Sequence, residues 1–481
     1  MNRYTERLMR VWVGQGTRLL PFSDVATADL PLSRLLRLSL FQLSVGMAMV
    51  LMMGTLNRVM IVELSVPAGL VGVMVSLPIL FAPFRALIGF QSDVHQSKLG
   101  WRRVPFIWKG TLIQFGGLAI MPFALLVLSG GGEAAHAPRW VGLFGAAVAF
   151  LLVGAGLHMT QTVGLALATD LVPPASQPKV VGLMYVMLLG GMVFSAVLFG
   201  MTLEDFSPRS LIGVIQGAAV ATLVLNVVSM WKQEPRRSRA EIAAAPKTQP
   251  TFRESWSIFA EGEGATRRLL ILGLGTMSFS MADILLEPYG GQILHMGVAA
   301  TTRLTATLAV GTLIGFWVAA LVLGRGADAF RIAIIGSGIG IPGFLCVIVA
   351  APLESGVLFS LGTLTIGMAT GLFGHGTLTA TMNAAPENQR GLALGAWGAV
   401  QATAAGIAVA SSGIMRDVVS TTAGDSVVAG VPGAAIGYMS VYGIEIVLLV
   451  VTIGAAASLV RRAVVADTGL PFTSIVSSKP G

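Results

Sequence analysis

Of the 481 residues, 54% are hydrophobic and only 11% charged, with a mean hydropathy of +0.79, whereas soluble domains carry about 25% charged residues, so most of this chain cannot face water. The formal net charge of +8 is not a nucleic-acid footprint, because the cations gather at the ends of apolar runs. A single cysteine, Cys346, excludes an intramolecular disulfide and a Cys-cluster metal site, and the long continuous apolar runs exclude a β-barrel, whose strands are short and alternate in polarity.

In residues 1–37, Tyr4, Leu8 and Val11 recur at i, i+4 and i+7 beside Arg3, Arg7 and Arg10. That spacing suits a short interfacial helix on an anionic leaflet, and a basic irregular arm fits it equally well. Apolar runs follow at 38–62, 68–91, 105–129, 140–169, 180–203 and 210–231, then at 268–294, 301–323, 331–352, 356–384, 390–415 and 437–460. Each approaches or exceeds the roughly 20 residues that cross a hydrocarbon core. They predict an all-α membrane protein of twelve transmembrane helices in two six-helix bundles, 38–231 and 268–462. A polar linker (232–267) joins the bundles and a tail (463–481) follows them. The first apolar run begins near Leu38 and is too long for a cleavable signal peptide.

Orientation follows from Lys and Arg. Arg34, Arg37, Lys98, Arg102, Arg103, Arg325, Arg331, Arg390, Arg461 and Arg462, with the basic linker, share one side. Arg139, Arg209, Arg303 and Arg416 lie on the other. The excess places both termini in the cytoplasm.

A weak internal repeat accompanies the two halves. The second span ends in Gly89-x-x-x-Asp93 and the eighth in Gly324-x-x-x-Asp328; the first ends near Glu63 and the seventh near Glu287. The stretch GFQSDVHQSKLGWRR (89–103) supplies Gly89, Asp93, Gly100, Arg102 and Arg103, and it resembles the loop between the second and third helices of the major facilitator superfamily. The resemblance implies a major-facilitator-type fold in which this loop latches the cytoplasmic side. Several extra residues between Asp93 and Gly100 depart from the usual pattern and put ordinary rapid transport cycling in doubt.

Further stretches narrow the likeness: LNRVMIVEL (56–64), PFRALIGFQSD (83–93), GWRRVPFIWKG (100–110), LLEPYGG (285–291), GLFGHGTLTATMNAAP (371–386) and GLALGAWGAVQATAAG (391–406). Together they resemble the PucC/LhaA family, the bacteriochlorophyll-delivery branch of that superfamily. The resemblance implies an assembly factor for light-harvesting antenna complexes, with the core antenna favoured over the peripheral one as client. Bacteriochlorophyll would be its cargo. The implied partners are the antenna alpha and beta polypeptides, a reaction-centre–antenna complex, a (bacterio)chlorophyll synthase and membrane lipid, with no nucleic acid. A proton-coupled secondary transporter and a pigment-free membrane chaperone are the competing functions.

Ionisable residues inside a membrane are costly and mark candidate sites. Arg58 lies near the end of the first span, while Asp283 and Glu287 are spaced i, i+4 on the seventh and so share a face. In the implied fold these helices flank the central cavity, so Arg58 is expected to face the acidic pair. Arg58, Glu63, Asp283 and Glu287 are the candidates for a fixed ion pair sealing that end, which is preferred over a polar gate or proton-coupled site. Arg85, within the second span, is expected to snorkel or to pair with a carboxylate. Gln114, Gln161, Asn226 and Gln401 read as hydrogen-bonding glue between helices.

Pigment handling needs an axial ligand for Mg, and neutral imidazole supplies one. His158 and His375 fall on corresponding spans, the fourth and tenth. Gly371, Gly374 and Gly376 around His375 offer a smooth notch for a flat macrocycle; a polar residue satisfied by a neighbouring helix is the simpler alternative. No phosphate loop and no hydrolytic or redox constellation occurs, so no enzymatic activity is expected.

Overall fold

The computed structural model describes residues 31–78, 100–131, 136–173, 177–234, 264–384, 390–424, 427–428 and 431–468, with Arg85, Ile88, Gln91, Ser92 and His95. The expected N-terminal helix and most of the linker and tail lie outside the described residues.

Among the described residues, twelve helical segments follow one another, as the apolar runs predict. They are α1 (Leu32–Glu63), α2 (Ala68–Ser76), α3 (Val104–Ser129), α4 (Arg139–Asp170), α5 (Gln177–Thr202) and α6 (Pro208–Met230). The second series is α7 (Ala265–Gln292), α8 (Val298–Leu323), α9 (Ala329–Ala350), α10 (Gly356–Ala384), α11 (Arg390–Ala423) and α12 (Gly433–Thr468). Eleven of them contain a stretch long and apolar enough to cross a membrane; the second run, 68–91, is described mainly over Ala68–Ser76. Between α11 and α12, Val427 and Val428 pair antiparallel with Pro432 and Val431 in a two-residue ladder. Large apolar side chains stand exposed on the helix surfaces, Phe123 and Val357 at 72% and Trp140 and Phe144 at 66%. Water would penalise such faces, whereas lipid is their solvent.

Several helices outrun the apolar runs, and polar partners explain it. α1 begins at Leu32 because Arg34 is held inside the fold, its Nη2 donating to the Gln233 carbonyl at 2.7 Å. α11 continues past residue 415 to Ala423, since Arg416 and Asp417 pair at 2.8 Å and need no helix end to reach a counter-charge.

Two compact units emerge, and each draws on several segments. The first comprises Met1–Val50, Pro83–Ser195 and Ser207–Pro246; the second comprises Leu51–Ala82, Ala196–Phe206 and Lys247–Gly481. In the first, Leu35, Leu38, Phe41, Ile107, Val163 and Met184 form a closed apolar core. Gly110 and Gly156 let α3 and α4 touch backbone to backbone. In the second, the corresponding α9 and α10 meet at Gly336, Gly343, Gly362 and Gly376. Another seam joins α8 and α10, where Gly311 and Gly315 abut the carbonyls of Leu364 and Met368, and Gly367 and Gly371 abut those of Leu308 and Thr312. Small residues four apart on both helices are the membrane route to close packing, because apolar burial gains nothing against lipid.

Candidate functional site

The most polar interior of the second unit is organised by a break in α7. Its α-helix stops at Ser280, a 3₁₀ turn covers Ala282–Ile284, and about two last helical turns cover Leu286–Gln292. Pro288 supplies the local reason: lacking an N–H, it frees the Ile284 carbonyl and crowds the turn before it. That carbonyl is taken up by Asn57 of α1, whose Nδ2 donates at 2.7 Å. On the other flank, the Ala282 N–H donates to Glu445 Oε1 of α12, also at 2.7 Å. Two side chains far apart in sequence therefore satisfy the backbone groups that the break exposes. The i, i+4 expectation for Asp283 and Glu287 needs correction: a 3₁₀ turn separates them, and they do not share one α-helical face.

Glu287 is 3% exposed and Glu445 fully buried. Glu287 Oε1 accepts from Thr305 Oγ1 and leaves no room for a Cβ at Gly54. Each acid has its second oxygen, Oε2, buried without a hydrogen-bond partner. Facing them, α1 departs from α-helical form, with π-helical turns at Val50–Leu56 and Val59–Glu63, features that concentrate at functional sites.

Arg58, 3% exposed, forms its ion pair with Glu63. It also donates to the Met296 carbonyl at 3.2 Å, and Gly291 lies against its guanidinium. Among the described residues no ion pair joins it to Asp283 or Glu287. A second buried network was not anticipated: Gln292 Oε1 accepts from Arg416 and, at 2.7 Å, from the Tyr438 hydroxyl. Arg416 stacks over the Tyr438 ring at 4.6 Å, and Asp417 Oδ2 accepts from the Gly69 N–H at 2.6 Å. Glu445, the one carboxylate within the run 437–460, could have been singled out by the same rule that picked Glu287.

His158 and His375 occupy α4 and α10, both half-buried. Each keeps its Nδ1 buried without a hydrogen-bond partner. Phe316 meets His375 edge-on with ring centroids 5.0 Å apart. The glycines around His375 do different work. Gly371 is filled by the α8 backbone and Gly376 by the backbone of Ala329 and Ala333, whereas a Cβ at Gly374 would meet only Phe316, at 3.9 Å. The opening therefore lies on the Gly374 side of the helix, not along a three-glycine notch. No cluster of three His, Cys, Asp or Glu suited to a metal ion occurs among the described residues.

In the loop motif, Gly89 and Asp93 lie outside the described residues. Gly100 adopts φ +81°, a conformation that favours glycine. Arg103 Nε pairs with Asp170 Oδ2 at 3.0 Å, and Arg102 pairs with the same carboxylate. Glu234 accepts from the backbone N–H groups of Arg102, Arg103 and Val104 at 2.7–2.9 Å, capping α3. In the second half Gly324 closes α8 and Asp328 caps α9, accepting from the Arg331 N–H at 2.8 Å.

A family model described as "PUCC protein" matches residues 55–464. A curated relative, "Protein PucC" of Rhodovulum sulfidophilum, is 61% identical over 87% of this chain and 92% of its own. A more distant one, the "Bacteriochlorophyll synthase 44.5 kDa chain" of Rhodobacter capsulatus, is 27% identical over 78% of this chain and 85% of its own. Among solved structures, the nucleoside transporter NupG matches with a TM-score of 0.64 at 12% identity, covering 88% of this chain and 98% of NupG. At that identity the likeness speaks for a transporter-type fold alone.

Proposed function

The chain belongs to the PUCC protein family, and on that premise we propose that it is an assembly factor for bacterial light-harvesting antenna complexes. It binds bacteriochlorophyll, or hands it to the antenna alpha and beta polypeptides, within the inner membrane and without enzymatic turnover. The core antenna is the favoured client, and a (bacterio)chlorophyll synthase is the natural neighbour from which pigment would be received. The observation that carries this reading is His375, an imidazole on a membrane-spanning helix with no hydrogen bond at its buried Nδ1 and an open flank at Gly374. An imidazole that no protein group holds by a hydrogen bond can offer its lone pair to a pigment Mg, which a satisfied histidine does not. The pigment contributes the light-absorbing macrocycle; the chain contributes a ligand and an apolar wall at Phe316.

The test is the absorption spectrum of the protein gently purified from pigment-producing cells, beside a His375→Ala variant. A bacteriochlorophyll band that is lost or shifted in the variant is expected. A pigment-free wild-type protein overturns the ligand role and leaves a scaffold that shelters antenna helices, and an unchanged band in the variant moves the site elsewhere. One observation favours a second reading, proton-coupled transport: the unpartnered oxygens of Glu287 and Glu445 beside a discontinuous helix, the kind of element that builds transporter sites. Proton uptake into proteoliposomes that disappears in Glu287→Gln would favour it over assembly.

A further inference from the structure

We propose that Arg85, with Gln161, Thr162 and His158 of α4, forms a site for a monoanionic oxyanion group, a carboxylate or a phosphodiester, inside the first unit. Arg85 Nε donates to Thr162 Oγ1 at 3.0 Å and Nη2 to Gln161 Oε1 at 3.2 Å. Both acceptors are neutral, and among the described residues no carboxylate pairs with this guanidinium. Arg58, Arg103 and Arg416 are each given one, in Glu63, Asp170 and Asp417. Thr162 precedes the end of α4 at Asp170 by eight residues, so Arg85 is anchored about 12 Å inside that helix end. The Arg85 side chain is half-buried there. A lone cation at that depth calls for a counter-anion.

The donor geometry says which kind. A guanidinium carries five N–H groups, of which Thr162 and Gln161 take one each. Its planar fork suits the two oxygens of a carboxylate or phosphodiester, and one positive charge balances one negative charge. His158 stands three and four residues before Gln161 and Thr162, on the same face of α4. Its buried Nδ1, without a partner, supplies a further donor toward the anion. The site is independent of His375, which lies in the other unit, so either can fail without the other.

The test uses the full chain, delipidated in an uncharged detergent, with oleate and phosphatidylglycerol as probes and oleyl alcohol as the neutral control. At least one anionic probe is expected to raise the melting temperature of the wild type while the alcohol does not. Arg85→Gln should weaken binding at least about 30-fold, yet melt without ligand no lower than wild type, because a half-buried charge without a carboxylate is gone. Arg85→Lys, which keeps the charge but loses the fork, and His158→Phe should each bind with intermediate affinity. Stabilisation by oleate alone assigns a carboxylate ligand, by phosphatidylglycerol alone a lipid headgroup, and by both the shared oxyanion chemistry. The proposal is overturned if neither probe stabilises the wild type, or if Arg85→Gln responds as the wild type does. If Arg85→Gln fails to fold, wild-type affinity in both Arg85→Lys and His158→Phe overturns it equally.

Discussion

Asn57 and Glu445 are the residues on which the broken seventh helix depends, and they do so through opposite chemistry. Asn57 donates to a carbonyl and Glu445 accepts from an N–H, so each tolerates only a substitute of the same polarity. Asn57→Leu is expected to cost about 1–3 kcal/mol, the penalty of an unsatisfied buried carbonyl, read as a lower melting temperature in detergent. Glu445→Gln keeps an acceptor oxygen and should melt close to wild type, whereas Glu445→Leu should fall by a similar amount to Asn57→Leu. An equal loss in the Gln and Leu variants would contradict the acceptor role. Arg58 and Glu287 were legible in the sequence because charge stands out in an apolar run. Asn57 was not, since a neutral amide there reads as generic glue, and its partner lies 227 residues away. The Arg58–Glu63 pair was missed as a pair because α1 is π-helical there, which turns Glu63 back toward Arg58 in a way α-helical spacing does not anticipate.

At the level of helices, hydropathy revealed the twelve apolar runs almost directly, because each must span the same thickness of hydrocarbon. The interruption of α7 was less readable. Pro122 and Pro342 sit inside unbroken α3 and α9, so proline alone does not announce a break; what sets Pro288 apart is the presence of side chains able to satisfy the freed backbone. Glycine shows the same ambiguity. The sequence offers Gly371, Gly374 and Gly376 as one notch, yet only the packed structure separates those that seat neighbouring helices from the one that faces open space. Gly371→Leu should therefore disrupt the α8–α10 seam, costing about 1–3 kcal/mol or more, and lower the yield of folded protein. Gly374→Ala should be nearly neutral for stability. If it nonetheless shifts the absorption of bound pigment, the open flank at His375 is in contact with cargo.

For the molecule as a whole, the distribution of cations makes a topological prediction. A fluorescent protein fused after Thr468 should fluoresce, and alkaline phosphatase placed there should be inactive, while phosphatase inserted between α1 and α2 should be active. The reverse pattern would invert the assigned orientation. Two of the boundaries between the compact units were beyond the sequence, because they fall inside α1 and α5, where hydropathy is uniform. The polar bonds at the α7 break also carry a consequence for biogenesis. When α7 emerges from the ribosome, Asn57 has already been made, but Glu445 follows Ala282 by 163 residues. Until the last helix enters the membrane, the Ala282 N–H lacks its acceptor, a defect costly in hydrocarbon. A nascent chain stalled before α12 would thus present a recognisable flaw to membrane quality control, and completion of the final helix is the step that removes it.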